Sequence, residues 1–135
     1  MKGLEDLSIK VKFSVLWLFT EVAMLAHMLL MFFEPGMIEQ IMTGVIEGMK
    51  MGPGMLLLFA ITMLIPLIMS YESITLKDST NRKANIVLGV VFAGFALIDF
   101  ISHAMHPSAH TILLSGATVV VPALIAWNAW KWPKE

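Results

Sequence analysis

The chain has 135 residues, of which 58% are hydrophobic and 14% charged, and its formal net charge at pH 7 is −1. Its mean hydropathy of +0.81 is typical of membrane proteins rather than of soluble domains. The sequence contains no cysteine, which excludes disulfides, thiolate metal ligands, cysteine nucleophiles and iron–sulfur clusters. It also shows no basic patch of the kind that binds nucleic acid. From the hydropathy and the length, we expect a single membrane domain over residues 1–135.

Four apolar segments are long enough to cross a bilayer, which takes roughly 20 helical residues for about 30 Å of hydrocarbon. We predict spans at about residues 13–33, 55–71, 86–105 and 111–130. The motifs EPG and GPG interrupt the helical pattern between the first two spans. The polar segment ESITLKDSTNRKAN predicts a loop after the second span, and HPSAH predicts the break before the fourth. The predicted fold is therefore all-α, an integral membrane antiparallel four-helix bundle.

Between the first two spans, the segment GMIEQIMTGVIEGMKMG has apolar residues at helical spacing. It predicts a short amphipathic helix over about residues 37–50, too short and too polar to cross the bilayer. We expect this helix to lie in the interface at the outer ends of the spans, either as a passive element or as a lid over a cavity.

The basic residues predict the orientation of the chain. Eight of the nine lie on one side of an even-span topology, and only Lys50 lies on the other. By the positive-inside rule, both termini and the middle loop are expected in the cytoplasm. The tryptophans Trp17, Trp127, Trp130 and Trp132 predict an aromatic belt at the same interface.

Both ends of the chain carry recognisable sequence. The segments LEDLSIKVKFSVLW and LIAWNAWKWPK resemble those of a family of small prokaryotic four-span membrane proteins of unknown function, in which the AWKWP ending also occurs. The resemblance extends over nearly the whole chain. It implies the four-span fold and a prokaryotic cytoplasmic membrane, and it implies no activity.

Ionisable residues inside the spans are the candidates for function, because hydrocarbon excludes unpaired charge. Asp99 and His103 are four residues apart on one face of span three, where the aspartate can fix the histidine tautomer. His27 lies at a similar depth in span one. If the two helices meet, His27, Asp99 and His103, with His106 or Glu34, would form an outward-facing set of ligands of the kind that binds Zn, Fe or Mn.

Several chemistries remain open for these side chains. They are a bound transition metal, a haem held by two histidines, a proton-coupled polar site, and histidines that only form hydrogen bonds within the bundle. Glu21 lies near the predicted midplane, where we expect it to be neutral, to face the interior or to line a hydrated cavity. It is about 120° from His27 around a helix, so a proton relay between the two would need water or another helix. The twelve methionines suit packing or, with histidine, Cu(I).

We therefore predict a small multi-pass membrane protein with an outward-facing site for a small ligand, proton or metal, formed by Glu21, His27, Asp99 and His103. A carrier role is one form of this hypothesis. The alternatives are a non-catalytic accessory subunit of a membrane assembly and a metal- or haem-dependent membrane enzyme, which ranks last because no activated nucleophile is evident. Besides the lipid bilayer, we expect a homo-oligomer or a membrane-protein partner, since small residues on spans three and four permit close helix contacts.

Overall fold

The computed structural model of the chain describes residues 1–105 and 108–133. Over these residues it contains five helices and one short hairpin. In chain order the elements are α1 (Lys2–Met31), α2 (Met37–Thr43), β1 (Val45–Ile46), β2 (Met49–Lys50), α3 (Pro53–Thr75), α4 (Asp78–Ala104) and α5 (Ala109–Lys131). Helices α1, α3, α4 and α5 are long and apolar enough to cross a membrane. The predicted all-α four-helix architecture is confirmed.

Successive long helices run antiparallel, so the two ends of the chain meet at one end of the bundle. There, Lys12 Nζ donates a hydrogen bond to Asn128 Oδ1 at 2.8 Å, and Trp132 Nε1 donates one to Asp6 Oδ1 at 3.1 Å. The opposite end, which carries α2 and the hairpin, is termed the distal end. Helix α1 packs on α3 and on α5, and α5 packs on α4, whereas α3 and α4 make few contacts with each other.

The bundle is apolar outside and partly polar inside. On α3, Leu56, Leu57 and Leu58 are between 56% and 61% exposed. Buried polar residues such as Thr20 and Ser115 donate hydrogen bonds to backbone carbonyls one turn earlier in their own helices, at 2.9 Å and 2.6 Å. This distribution is the one expected of a bundle surrounded by lipid, where backbone and side-chain polar groups must be satisfied internally.

A buried chain of hydrogen bonds joins three helices near the termini. Trp17 Nε1 donates to Asn85 Oδ1 at 2.7 Å, and Asn85 Nδ2 donates to Asn81 Oδ1 at 2.6 Å. Asn81 Nδ2 in turn donates to the carbonyl oxygen of Ser73 at 2.6 Å. Because these amides are fully buried, each bond replaces one that would otherwise be made to water. The network holds α1, α3 and α4 in register.

The tryptophans divide into two pairs. Trp17 and Trp132 are 0% and 4% exposed and belong to the core, so their assignment to an aromatic belt is wrong. Both indole N–H groups have acceptors inside the protein, which is what allows such large amphipathic side chains to be buried. Trp127 and Trp130 are 57% and 67% exposed, as residues of a belt would be.

The helices extend beyond the apolar segments that predicted them. Helix α1 begins at Lys2 rather than near residue 13, and only Leu76 and Lys77 separate α3 from α4, where the sequence predicts a loop over residues 72–85. The polar ends are helical because their side chains find partners in neighbouring helices. Lys10 Nζ, for example, donates to the carbonyl oxygen of Leu76 at 3.0 Å and lies 2.6 Å from Asp78 Oδ1.

The amphipathic segment differs from the continuous helix predicted over residues 37–50. Helix α2 ends after Thr43, and a two-stranded antiparallel hairpin follows. Gly44 and Gly48 have φ angles of +71° and +80°, a left-handed conformation that ends the helix and forms the turn. Met37 is buried at the start of α2, which anchors this element to the distal end.

The closest helix packing joins α4 to α5. Gly89 is buried, and a Cβ atom placed on it would lie 2.9 Å from the backbone nitrogen of Ala126 and 2.9 Å from the carbonyl oxygen of Pro122. The missing side chain is therefore what allows these two backbones to approach. With α4 held on α5 and α3 held on α1, a cleft remains between α3 and α4.

Candidate metal centre

Two histidines meet between α1 and α4 near the distal end. The ring centroids of His27 and His103 are 5.4 Å apart, with the rings in edge-to-face contact. Asp99 lies one turn before His103, and its Oδ2 atom is 3.8 Å from His27 Nε2. One ligand atom from each residue lies within 4.8 Å of the other two. These three residues are termed the distal cluster; the contact between spans one and three on which it depends is present.

The distal cluster holds unused hydrogen-bonding atoms in a largely enclosed place. His27 is 7% exposed, and the side chain of His103 is 13% exposed. Among the described residues, neither ring nitrogen of His27 has a hydrogen-bond partner, and neither does His103 Nε2. Buried polar atoms usually have partners, because each loses a bond to water on burial. These nitrogens are therefore candidates to bind a ligand.

Asp99 orients His103 through its backbone. His103 Nδ1 is 2.9 Å from the carbonyl oxygen of Asp99 and 3.4 Å from Asp99 Oδ1. A carbonyl oxygen only accepts hydrogen bonds, so we assign the ring proton to Nδ1. Nε2 then carries a lone pair, as a metal-binding histidine requires. Asp99 is predicted to fix the tautomer of His103, and the shorter of its two contacts with Nδ1 is made by its backbone carbonyl oxygen rather than by its carboxylate.

A second carboxylate approaches the cluster from the hairpin turn. Glu47 Oε1 lies 3.5 Å from His103 Nε2. In the tautomer assigned above, both atoms present lone pairs, so the contact is favourable only with a proton or a metal cation between them. Glu47 has a φ of +50°, uncommon for a residue other than glycine, and its backbone N–H donates to Gln40 Oε1 at 2.8 Å.

Glu47 is not among the site residues predicted from the sequence. It lies 56 positions before His103, so only the tertiary fold, which places the hairpin turn beside the end of α4, brings the two together. The glycines at 44 and 48 were the available signal, because they mark a turn rather than a helix.

Glu34 belongs to a separate group at the distal end. Its Oε1 atom accepts hydrogen bonds from Thr111 Oγ1 at 3.0 Å and from Ser108 Oγ at 3.1 Å, and His110 Nε2 lies 3.2 Å away. The bond from Thr111 is the main reason that the pKa of Glu34 is held below its usual range; Ser108 and His110 act in the same direction, and partial burial opposes them. This group joins the end of α1 to the start of α5.

Two other predicted residues are not part of the distal cluster. Glu21 is 4% exposed and lies six residues before His27, about 9 Å along the helix axis. Its Oε2 atom has no hydrogen-bond partner in the described part of the chain, and the hydroxyl groups of Thr62, Ser70 and Ser115 donate to backbone carbonyls rather than to it. His106, a predicted metal ligand, lies outside the described residues.

Comparison with known proteins gives a family but no activity. No curated protein and no solved structure matches the chain. One family model covers almost all of it, including both ends, where the sequence resemblance was noted. The match extends over residues 4–135, and the chain therefore belongs to the family of unknown function DUF6326.

Proposed function

We propose that this chain is an integral protein of a prokaryotic cytoplasmic membrane that binds one divalent transition-metal ion at the distal cluster. The observation that supports this most directly is the convergence of ligand atoms from His27, Asp99 and His103 within 4.8 Å. Two imidazoles and a carboxylate are the ligands that zinc uses at sites that retain an open position, and Fe(II) uses a similar set.

The spacing of the ligand atoms suits a single small ion. Two ligands on a tetrahedral zinc ion are about 3.3 Å apart when the metal–ligand bonds are about 2.0–2.1 Å long. His27 Nε2 and Asp99 Oδ2 are 3.8 Å apart, so a displacement of about 0.5 Å would place both on one ion. The lone pairs of His103 Nε2 and Glu47 Oε1 repel each other, and a cation bound between the two atoms would remove this repulsion. Glu47 is therefore the candidate fourth ligand.

A single ion fits this arrangement better than haem. The imidazole rings of His27 and His103 are in direct edge-to-face contact, with centroids 5.4 Å apart. Two histidines that hold a haem lie on opposite faces of the porphyrin, so that their rings do not touch. Binding haem here would require the two rings to separate, whereas binding an ion requires ligand atoms that already lie within 4.8 Å of one another to move closer together.

The charge distribution supports an outward-facing distal end. Of the eight basic residues in the described part of the chain, seven fall at the other end of the bundle or in the connection between α3 and α4, which by the positive-inside rule is the cytoplasmic side. The metal site would then lie toward the outer surface, where ions arrive from outside the cell. Carriage across the membrane would require a hydrated path past Glu21, which is buried and does not line the cleft between α3 and α4.

The test is a measurement of zinc affinity on the full chain in detergent, after removal of adventitious metal with EDTA. Competition with a chromophoric chelator gives both the stoichiometry and the Kd. We expect one Zn²⁺ per chain, and a loss of affinity of roughly 100-fold or more in His27→Ala and in His103→Ala, because removal of a supporting partner alone typically costs 10–100-fold.

His110→Ala provides the matched control. His110 is also at the distal end and also lies near a carboxylate, but it is not part of the distal cluster. Its replacement should leave the zinc affinity unchanged. A Kd that is the same in His103→Ala and in wild type, or an equal loss in His110→Ala, would refute the proposed site.

A further inference from the structure

The cleft between α3 and α4 opens on the lipid-facing side of the bundle. Its volume is about 460 Å³, and apolar side chains such as Leu58, Phe59, Val91 and Phe95 line most of it. Leu58 is 56% exposed and Phe95 is 70% exposed, so the cleft communicates laterally with the surroundings of the protein. A molecule could therefore enter it from the bilayer without crossing the aqueous phase.

One end of the cleft is polar. His27 and Asp99 line it there, and neither ring nitrogen of His27 has a partner among the described residues. The two other polar residues of the lining, Thr62 and Thr118, donate to backbone carbonyls of their own helices at 2.9 Å and 2.7 Å. Hydrogen-bonding capacity toward a ligand is thus concentrated at the distal end of an otherwise apolar cleft.

The length of the cleft matches one lipid chain. Along α4 its lining runs from Leu88 to Asp99, eleven helical steps or about 16 Å of helix. This is close to the thickness of one leaflet, half of the roughly 30 Å hydrocarbon layer. The head group must be small, because His27 is only 7% exposed and lies inside the bundle.

We propose that the cleft binds a single-chain amphiphile from the bilayer, whose small head group donates a hydrogen bond to the Asp99 carboxylate and accepts one from the ring N–H of His27. A hydroxyl meets this requirement, because it has one O–H donor and lone pairs that accept, whereas the carboxylate of Asp99 would repel an anionic head. The inference rests on the proposed function in one respect: the cleft and the distal cluster share His27 and Asp99, so the amphiphile would be the organic ligand of the same site.

The probe is a hexadecanol that carries a photoreactive diazirine, added to the full chain in phosphatidylcholine vesicles. Labelled peptides are then identified by mass spectrometry. We expect saturable labelling of the cleft faces of α3 and α4, with competition by hexadecanol and much weaker competition by hexadecane. Asp99→Leu, which keeps the cleft apolar, should abolish the preference for hexadecanol over hexadecane.

Cleft-filling variants test the location. Ala96→Trp should lower labelling by about tenfold or more, because overpacking by a large side chain excludes the ligand. Leu58→Trp fills the cleft from α3 and serves if Ala96→Trp does not fold. Ala123→Trp on the exposed face of α5 is the control and should label as wild type does. Even labelling of all four long helices, unchanged in both cleft variants, would show that bulk lipid fills the cleft and would overturn the inference.

The two proposals can fail separately. His103 is a proposed metal ligand that does not line the cleft, so His103→Ala should lose zinc binding and keep the labelling. Ala96→Trp should lose the labelling and keep at least part of the zinc binding. Loss of labelling in His103→Ala would contradict a head group that bonds directly to Asp99 and His27. Labelling of wild type without any zinc binding would support the amphiphile site and refute the metal site.

Discussion

Substitution of Gly89 by alanine tests the contact that holds α4 against α5. The new Cβ atom would lie 2.9 Å from two backbone atoms, the nitrogen of Ala126 and the carbonyl oxygen of Pro122, where van der Waals contact begins at 3.4 Å. Backbone atoms cannot rotate away, so the helices must separate by about 0.5 Å. Such overpacking costs about 1–3 kcal/mol, which exceeds the gain of up to about 1 kcal/mol from replacing glycine with alanine in a helix.

Gly94→Ala is the matched control on the same helix. No atom of the described residues lies within 4 Å of the position that its Cβ would occupy, so only the gain in helix propensity applies. Equilibrium unfolding of both variants in mixed micelles with SDS, followed by tryptophan fluorescence, should show Gly89→Ala less stable than Gly94→Ala by about 1–3 kcal/mol. Equal free energies of unfolding for the two variants would refute the argument that Gly89 sets the spacing of α4 and α5.

Replacement of Trp17 by phenylalanine should lower the free energy of unfolding by about 1–3 kcal/mol, since it leaves the buried Oδ1 atom of Asn85 without its donor; a loss no larger than that of the exposed Trp130→Phe would contradict this. Because the pKa of Glu34 lies below its ordinary value of 4.5 in the folded protein, its carboxylate stabilises the fold above about pH 4.5, and this contribution disappears as the pH falls through the lowered pKa. Wild type should therefore lose more stability than Glu34→Gln between neutral pH and about pH 3, as measured by unfolding at each pH; equal losses would rule out the effect. Glu47→Gln should weaken zinc binding by roughly 10–100-fold if its carboxylate faces the ion, and an unchanged Kd would exclude it as a ligand.

Hydropathy was sufficient to predict the four helices. Inside a bilayer no water is available to the backbone N–H and C=O groups, and an apolar segment that forms a helix satisfies them with its own hydrogen bonds. Hydropathy failed at the polar ends. Asn81 and Asn85 look like loop residues in sequence, yet they are fully buried, with partners supplied by Trp17 and Ser73 from other helices. Such partners are a property of the tertiary structure, so no local pattern reveals them.

The candidate site was predictable only where it depends on the spacing of residues within a helix or on their depth in a span. The spacing of Asp99 and His103 places both on one face of any helix, and a similar depth in span one suggested His27. Helix periodicity also predicted that Glu21 would not share a face with His27. The approach of Glu47, however, depends on a hairpin that two glycines introduce into an otherwise helical pattern.

The most direct test of the metal site is X-ray absorption at the zinc K-edge on the full chain loaded with one equivalent of Zn²⁺. If the distal cluster holds the ion, the spectrum will show two imidazole ligands, through their outer-shell scattering, and oxygen ligands at about 2.0–2.2 Å. The His103→Ala variant should then show one imidazole fewer. A spectrum with oxygen scatterers and no imidazole would contradict the assignment of His27 and His103 as metal ligands.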